Sequence, residues 1–382
     1  RDVLILSVSA FGGPQAHLAM LFDMMVSKRG YLTEEELIEL HALCQILPGP
    51  TSTQTITALG FKIGGPNLAY LTLLIWMLPA VTIMITAGIV ISTLQANSIS
   101  IEFTKYIQPM AVGFVTYAAY KISVKIVHTK TAMGLMIIAA VVSYFVKNPL
   151  IFPLILLLSG ASTALKFKAH PKEDDKKIKV DWRNFILWAA VLSLFAIIGG
   201  ITKYRAVLLF ENFYRNGSLI FGGGQVLIPL LYTEFVEFKD FLSSEEFLSG
   251  FGIVQALPGP VFSFSSYIGA LALRDQGIFW QVAGGLIAAA GIFLPGTFLI
   301  FFVIRFWEQL KKYRVVKASL EGINAASSGL VIAAAFLLFQ PIEENANMIE
   351  IGVLLGTFIV LMFTRVPAPF IILAGLIAGF IF

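Results

Sequence analysis

The chain has 382 residues, of which 57% are hydrophobic and 13% charged, and its mean hydropathy is +0.83. Soluble domains carry about a quarter charged residues, so this composition leaves no room for a soluble domain and predicts an all-α polytopic membrane protein set in the lipid bilayer. The net charge of +4 fits the Lys and Arg that membrane proteins keep on their cytoplasmic loops, and no nucleic-acid partner is expected.

Apolar runs of about 20 residues, the length that crosses a bilayer, recur along the whole chain. In order they are Val3–Val26, Glu35–Lys62, Asn67–Leu94, Tyr106–Val127, Thr131–Val146 and Leu150–Leu165. A charge-dense stretch from Lys166 to Arg183 reads as a solvated linker, and an additional apolar segment, Asn184–Thr202, follows it. Six more spans complete the chain: Val207–Glu237, Glu245–Arg274, Phe279–Trp307, Leu320–Phe339, Met348–Phe363 and Pro367–Phe382. Six, one and six make about thirteen transmembrane segments. The chain opens at Arg1, and no separate signal peptide is read in it.

The two sets of six are copies. At an offset of 210 residues Phe11–Pro50 aligns with Phe221–Pro260 without a gap. Phe11, Gly12, Gly13, Gln15, Glu35, Glu36, Gln45, Leu47, Pro48, Gly49 and Pro50 are among the identities, and after a six-residue insertion Pro79 pairs with Pro295 and Gly113 with Gly329. The organisation is therefore an N-terminal repeat over 1–166, a charged cytoplasmic linker with the extra span over 167–205, and a C-terminal repeat over 206–382. Charge bias orients the repeats. The loop after the third span holds Lys105 alone in the first half, whereas its counterpart holds Arg305, Lys311, Lys312, Arg314 and Lys317. The next loop reverses the bias, with Lys121, Lys125 and Lys130 against Glu343 and Glu344. Two inverted six-helix repeats joined by one extra span satisfy this rule, with Lys28 and Arg29 as the exception. On this count a broken helix that crosses the membrane at Pro48 is favoured over a hairpin that turns back.

Inverted repeats place substrate near the midplane, where broken helices aim their ends at it. Each half offers two breaks: Phe11-Gly12-Gly13-Pro14-Gln15 with Gln45-Ile46-Leu47-Pro48-Gly49-Pro50, and Phe221-Gly222-Gly223-Gly224-Gln225 with Gln255-Ala256-Leu257-Pro258-Gly259-Pro260. Proline removes a donor and glycine permits unusual dihedrals. A helix restarting after Pro50 presents free amides beside Thr51, Ser52 and Thr53, and Ser263 stands in the second copy; such an end suits an anion. Each feature also has a structural role to weigh: glycine pairs serve close packing, and hydroxyls bond back to helix carbonyls.

Thr33–Glu36 and Ser243–Glu246 fit capping boxes, so Glu36 and Glu246 read first as helix starts and second as proton carriers. Histidine is the side chain whose ordinary titration lies near neutrality, so His17 and His41 are the other candidates for proton coupling, although neither has a partner in the opposite half. The single Cys44 and the spacing of the four histidines give no metal site. No cofactor is expected.

With these motifs in place the chain resembles the chromate ion transporter family: FGGPQ with LPGPTSTQ, then FGGGQ with ALPGPVFSF, in a duplicated chain. The resemblance implies export of chromate, a tetrahedral dianion similar to sulfate, across the inner (plasma) membrane of a prokaryote, with chromate resistance as the outcome and no bound cofactor. It carries the substrate site onto Phe11–Gln15, Gln45–Pro50, Phe221–Gln225 and Gln255–Pro260. Val261 and Phe262 stand where the first copy has Thr51 and Ser52, so the first half is expected to supply more polar contacts. The expected mechanism is alternating access around a central oxyanion, by a single chain or a homodimer. A carrier of sulfate or another small oxyanion, running with protons, is the alternative. An anion channel or an intramembrane enzyme has less support.

Overall fold

A computed structural model describes residues 1–11, 13–98, 102–146, 148–165, 180–221, 226–307, 314–343 and 348–381. Among them no strand occurs. The first half consists of α1 (Asp2–Ser9), α2 (Gly13–Leu21) with a π-helical continuation over Phe22–Lys28, α3 (Glu34–Ile46), α4 (Thr51–Ala96), α5 (Ile107–Ile126), α6 (Lys130–Phe145) and α7 (Ile151–Ala164). The connecting helix is α8 (Arg183–Thr202). The second half consists of α9 (Arg205–Leu219), α10 (Leu227–Tyr232) with a π-helical continuation over Thr233–Phe238, α11 (Ser244–Gln255), α12 (Phe264–Ala272), α13 (Ile278–Val303), α14 (Arg314–Glu343), α15 (Met348–Phe363) and α16 (Ala368–Ile381). By length and composition α4, α8, α13 and residues 318–340 of α14 are sufficient to cross a bilayer.

The first two expected spans of each half fold back on themselves as hairpins. Glu36, in the first turn of α3, pairs with Lys62 at 2.7 Å, and His41 reaches Thr55 at 3.2 Å. Residues 26 and 14 apart meet in this way only if α3 and the start of α4 run antiparallel. Each arm has about 13 residues, roughly 20 Å of helix. At Gly64 and Gly65 the chain turns again, Gly65 at φ +72°, so Trp76 returns to donate to Thr53 Oγ1 at 3.1 Å. The arm over 66–96 is the long uninterrupted part of α4. The second half repeats the pattern: Arg274 pairs with Glu246, and the Tyr267 hydroxyl donates to the Glu246 carbonyl at 2.9 Å. The segments around the earlier breaks are hairpins too. Arg29 and Tyr31 both reach Asp2, at 2.6 and 3.0 Å, while Phe213 stacks on Phe235 with centroids 4.7 Å apart.

This corrects the expected crossing at Pro48, and the physical reason lies in the backbone. Gly49 and Gly259 take φ +118° and +98°, a region closed to other residues, and so reverse the chain instead of kinking it. Both expected capping boxes are present, Thr33 with Glu36 and Ser243 with Glu246. They start the hairpin arms and hold the glutamates at the open ends.

The four tips meet across the halves. The Gly49 amide donates to the Ile220 carbonyl at 2.7 Å, and the Gly259 amide donates to the Ala10 carbonyl at 2.9 Å. Ala10 and Ile220 are equivalent at the 210-residue offset, as are Gly49 and Gly259, so each proline-glycine-proline tip docks on the other half's first tip. The tips also rest on the opposite half's long helix: a Cβ on Gly49 would lie 3.5 Å from Gly296, and one on Gly259 3.4 Å from Ala80. Each contact follows directly after a repeat-matched proline, Pro295 or Pro79.

The 66–96 arm of α4 and α13 run antiparallel, joined by Gln281 to Ser92 at 2.6 Å near one end and by Tyr70 edge-on against Phe301 at 5.3 Å near the other. With 26 residues α13 spans roughly 39 Å. Arg274 and its hairpin base lie just before its start, whereas Ile304, Arg305 and Trp307 at its far end share a cavity with Glu36 and Lys62. The two proline-glycine-proline hairpins thus enter from opposite ends of α13. The outer helices interlock: α6 and α7 of the first half pack on α14 of the second, and α15 packs on α5. Gly113 and Gly329, paired by sequence, are the close crossings, the former against Leu354 and Thr357 and the latter against Met136 and Ala139. At the linker Asp181 pairs with Arg183 at 2.7 Å and with Arg305. The Arg183 guanidinium holds the Asp181 carboxyl well below the usual carboxylate range.

Alanine at Gly49 or Gly259 should cost about 1–3 kcal/mol, the strain of a side chain held in a disfavoured backbone region, read as a lowered melting temperature in detergent. Gly134→Ala, at a helical site with nothing within 4 Å, should not lower it. At the hairpin bases the Glu246 side chain is 3% exposed and its Arg274 partner 33%, against 38% and 42% for Glu36 and Lys62. Arg274→Ala should therefore destabilise by about 3 kcal/mol, as breaking a buried pair does, and Lys62→Ala by less than about 1 kcal/mol.

Candidate functional site

Where the tips meet, ordinary pairing of polar groups fails. The Thr51 end of α4 has no side-chain cap, and its first amides have no intrahelical acceptor. Thr51, Ser52, Thr53 and Gln54 are all buried beside it. In the second half Val261–Ser263 forms a 3-10 turn before α12, and the Ser263 amide bonds the Pro260 carbonyl at 2.9 Å. This turn occupies one donor that the first copy leaves to its helix end.

On the elements that lead to these ends are buried side-chain atoms without a hydrogen-bond partner among the described residues: Ser52 Oγ, Gln54 Oε1, Ser263 Oγ, Ser266 Oγ, Gln255 Nε2, both amide atoms of Asn216, Asn212 Nδ2 and His17 Nδ1. Native interiors leave few such atoms, and here most stand on the hairpin arms near the four tips. The hydroxyls and amide nitrogens among them can donate, whereas Gln54 Oε1 and Asn216 Oδ1 only accept. Gln54 Nε2 donates to the Pro48 carbonyl at 2.6 Å and fixes the tip from within. His17 is buried, its Nε2 3.1 Å from the Ala10 carbonyl, which also receives the Gly259 amide, and its ring meets Trp76 edge-on at 5.3 Å. The histidine therefore touches a tip-to-tip contact directly.

The residues expected from sequence divide accordingly. Gly49 docks at Ile220, and Gly259 docks at Ala10, whose carbonyl His17 also contacts; Pro48, Pro50, Thr51 and Ser52 flank the first of these contacts in the chain, and Pro258, Pro260 and Ser263 the second. Thr53 faces Trp76. Gln255 is half-buried near the second tip, but Gln45 is exposed on α3 and bonds His41 at 3.0 Å. His41 in turn reaches Thr55, so it belongs to the hairpin's own packing. Glu36 and Glu246 sit at the open ends, about 20 Å of helix from the tips. Phe11 is exposed at the first tip and Gly13 opens α2. Gly12, Gly222, Gly223, Gly224 and Gln225 lie outside the described residues, as does the Gln15 side chain.

Sequence reasoning missed Gln54, Asn212, Asn216 and Trp76. It also missed a charged group directly before Asn216: Arg215 pairs with Glu211 at 2.9 Å and with the buried Glu234 at 3.1 Å, and Lys239 pairs with Glu234 at 3.1 Å. The available signal was the run Glu211-Asn212-Phe213-Tyr214-Arg215-Asn216, since charged and amide residues inside a membrane segment mark function by default.

Comparisons with known proteins bear on the family of the chain. The family model described as Chromate transporter matches residues 1–164 and 207–380. A probable chromate transport protein of Synechococcus elongatus is 25% identical over 381 residues, 99% of this chain and 93% of that protein. The chromate transport protein of Pseudomonas aeruginosa is 25% identical over 90% of this chain and 81% of its own length. An uncharacterized transporter of Bacillus subtilis is 24% identical over 179 residues, 97% of its own length but 46% of this chain. No solved structure matches. With a match of that family model across nearly all of both halves, the chain belongs to the chromate transporter family.

Proposed function

We propose that this multi-pass membrane protein is a secondary transporter that exports chromate, or another tetrahedral oxyanion of the same charge, by alternating access across a prokaryotic inner membrane. Family membership supports the substrate class. The observation that carries the site is the pair of reciprocal tip contacts, Gly49 to Ile220 and Gly259 to Ala10, flanked by buried hydroxyls and amides that have no partner among the described residues. The substrate contacts are Thr51, Ser52 and Gln54 from the first half and Ser263, Ser266 and Asn216 from the second. Neutral groups at helix starts replace part of the dianion's water shell. They bind it less firmly than buried cations, which favours release.

Hairpin folding supports an orientation as well. Thirteen segments less four hairpins leave nine that cross. Lys28 and Arg29, separated from the Thr33 cap by only a few residues, then share an end with Lys62, Arg183 and Arg305, so the exception to the charge rule disappears and that end is cytoplasmic. The two halves are inverted copies in this scheme. For proton coupling His17 has the best position of the four candidates, because it bonds the Ala10 carbonyl that receives Gly259.

Sealed proteoliposomes loaded with radiolabelled chromate should show saturable flux, driven by an imposed pH gradient of one sign. Sulfate competing fully at equal concentration, or flux of sulfate alone, would move the assignment to that alternative. Ser52→Ala and Asn216→Leu should raise KM about tenfold to a hundredfold, as loss of hydrogen bonds to a charged group predicts, while the protein stays folded. His17→Gln should retain chromate binding and lose the response of flux to the gradient. Wild-type KM in both of the first two variants would remove the site from the tips.

A further inference from the structure

The two proline-glycine-proline hairpins are equivalent in sequence but differ in their packing. In the second half α11 is enclosed. It packs on α5 and α16 as well as on its own hairpin partner, the Ser249 hydroxyl donates to Thr104 Oγ1 at 3.0 Å, and Gly252 lies so close to Ile107 that a Cβ there would overlap it. Leu248, Ser249 and Gly252 are all buried. In the first half the extensive contacts of α3 among the described residues are with α4 and the Phe22–Lys28 segment. Its equivalent face, Ile38, Glu39, Ala42 and Gln45, is exposed apart from the half-exposed Ala42, and Ile38 is 54% exposed.

Residues spaced three and four apart form one stripe on a helix. A stripe that carries Glu39 and Gln45 does not suit hydrocarbon, where polar side chains turn to the protein or to a water-filled cavity. A cavity of about 340 Å³ stands at its mouth, bordered by Glu39, Lys62 and Arg305. At its inner end Gln45 is three residues from Pro48.

We infer that this stripe lines an aqueous crevice between α3 and α14 that leads from the Lys62–Arg305 end to the tips, and that the crevice closes when α3 docks on α14 as α11 docks on α5. By the repeat offsets Ala42 replaces Gly252, and Ile323 of α14 replaces Ile107. The described conformation is thus open toward the Lys62–Arg305 end and shut at the Arg274 end. The extra methyl of Ala42 keeps this docking looser than the Gly252 contact, consistent with the open arrangement here. The closure rests on the transport reading above; the crevice itself does not, since it is a matter of water access alone.

Single cysteines at Ile38, Ala42, Leu248 and, as a lipid-facing control, Leu158 on α7 test it in sealed vesicles of both orientations with a membrane-impermeant maleimide. The parent protein, whose Cys44 is fully buried, is the blank. Ile38→Cys and Ala42→Cys should label about tenfold faster than Leu158→Cys, from the Lys62–Arg305 side only, because water reaches them and lipid excludes the reagent. Leu248→Cys should stay unlabelled. Equal rates at Ala42→Cys and Leu158→Cys would overturn the crevice whatever the flux. The pair Ala42→Cys with Ile323→Cys should form a disulfide during chromate turnover, stop flux, and recover on reduction. Absence of the bond in a variant that still transports would overturn the docking. Labelling as expected without chromate flux in the parent would instead count against the transport assignment alone.

Discussion

The structure depends on two backbone hydrogen bonds. Each proline-glycine-proline tip donates one amide, from Gly49 or Gly259, to the carbonyl that precedes the other half's glycine-rich break. A tip carries backbone groups that no helix satisfies, and lipid cannot satisfy them either. Cross-docking accommodates one group at each tip and leaves others for a ligand. It also makes the halves inseparable, since neither copy can complete its own tip. The interlocking of α5 and α15 with α6, α7 and α14 extends the same exchange to the periphery.

Hairpins rather than crossings change how charge and chain direction relate. A broken helix that crossed at Pro48 would send Lys28 and Arg29 to the wrong side, and a single hairpin there would strand Arg305. Two hairpins per half would preserve the parity of everything after them while moving the Lys28–Arg29 turn and its second-half counterpart at Lys239–Asp240. The basic residues then gather at one end, held by pairs such as Asp181 with Arg183 and Arg305. Parity, rather than the strength of any one contact, reconciles the charge pattern with the fold.

Between the copies, differences are as informative as matches. The second half replaces Thr51 and Ser52 with Val261 and Phe262 and uses a 3-10 turn to occupy an amide, yet it adds Asn216 and Ser266 as unpartnered groups. Polar groups are therefore contributed by different residues in the two halves. Packing differs in the same sense, with α11 enclosed and α3 open. A pair of equivalent elements in two arrangements is what a protein needs to expose one site alternately to two sides.

The sequence by itself determined the class, the duplication and the chemistry of the breaks, because these depend on composition and on local rules. Proline and glycine mark a break wherever they stand, Thr33 with Glu36 and Ser243 with Glu246 start helices through contacts three residues apart, and the paired Gly113 and Gly329 announce close crossings. Only the tertiary structure decided that the breaks are hairpin tips, that Gly49 meets Ile220 and not its own half, and that Gln45 faces outward while Gln54 faces in. Those outcomes turn on chain reversal and on contacts spanning more than 150 residues, as in Gly49 with Ile220. An apolar run has the same pattern whether it crosses a membrane or turns back within it, so no local rule separates the two.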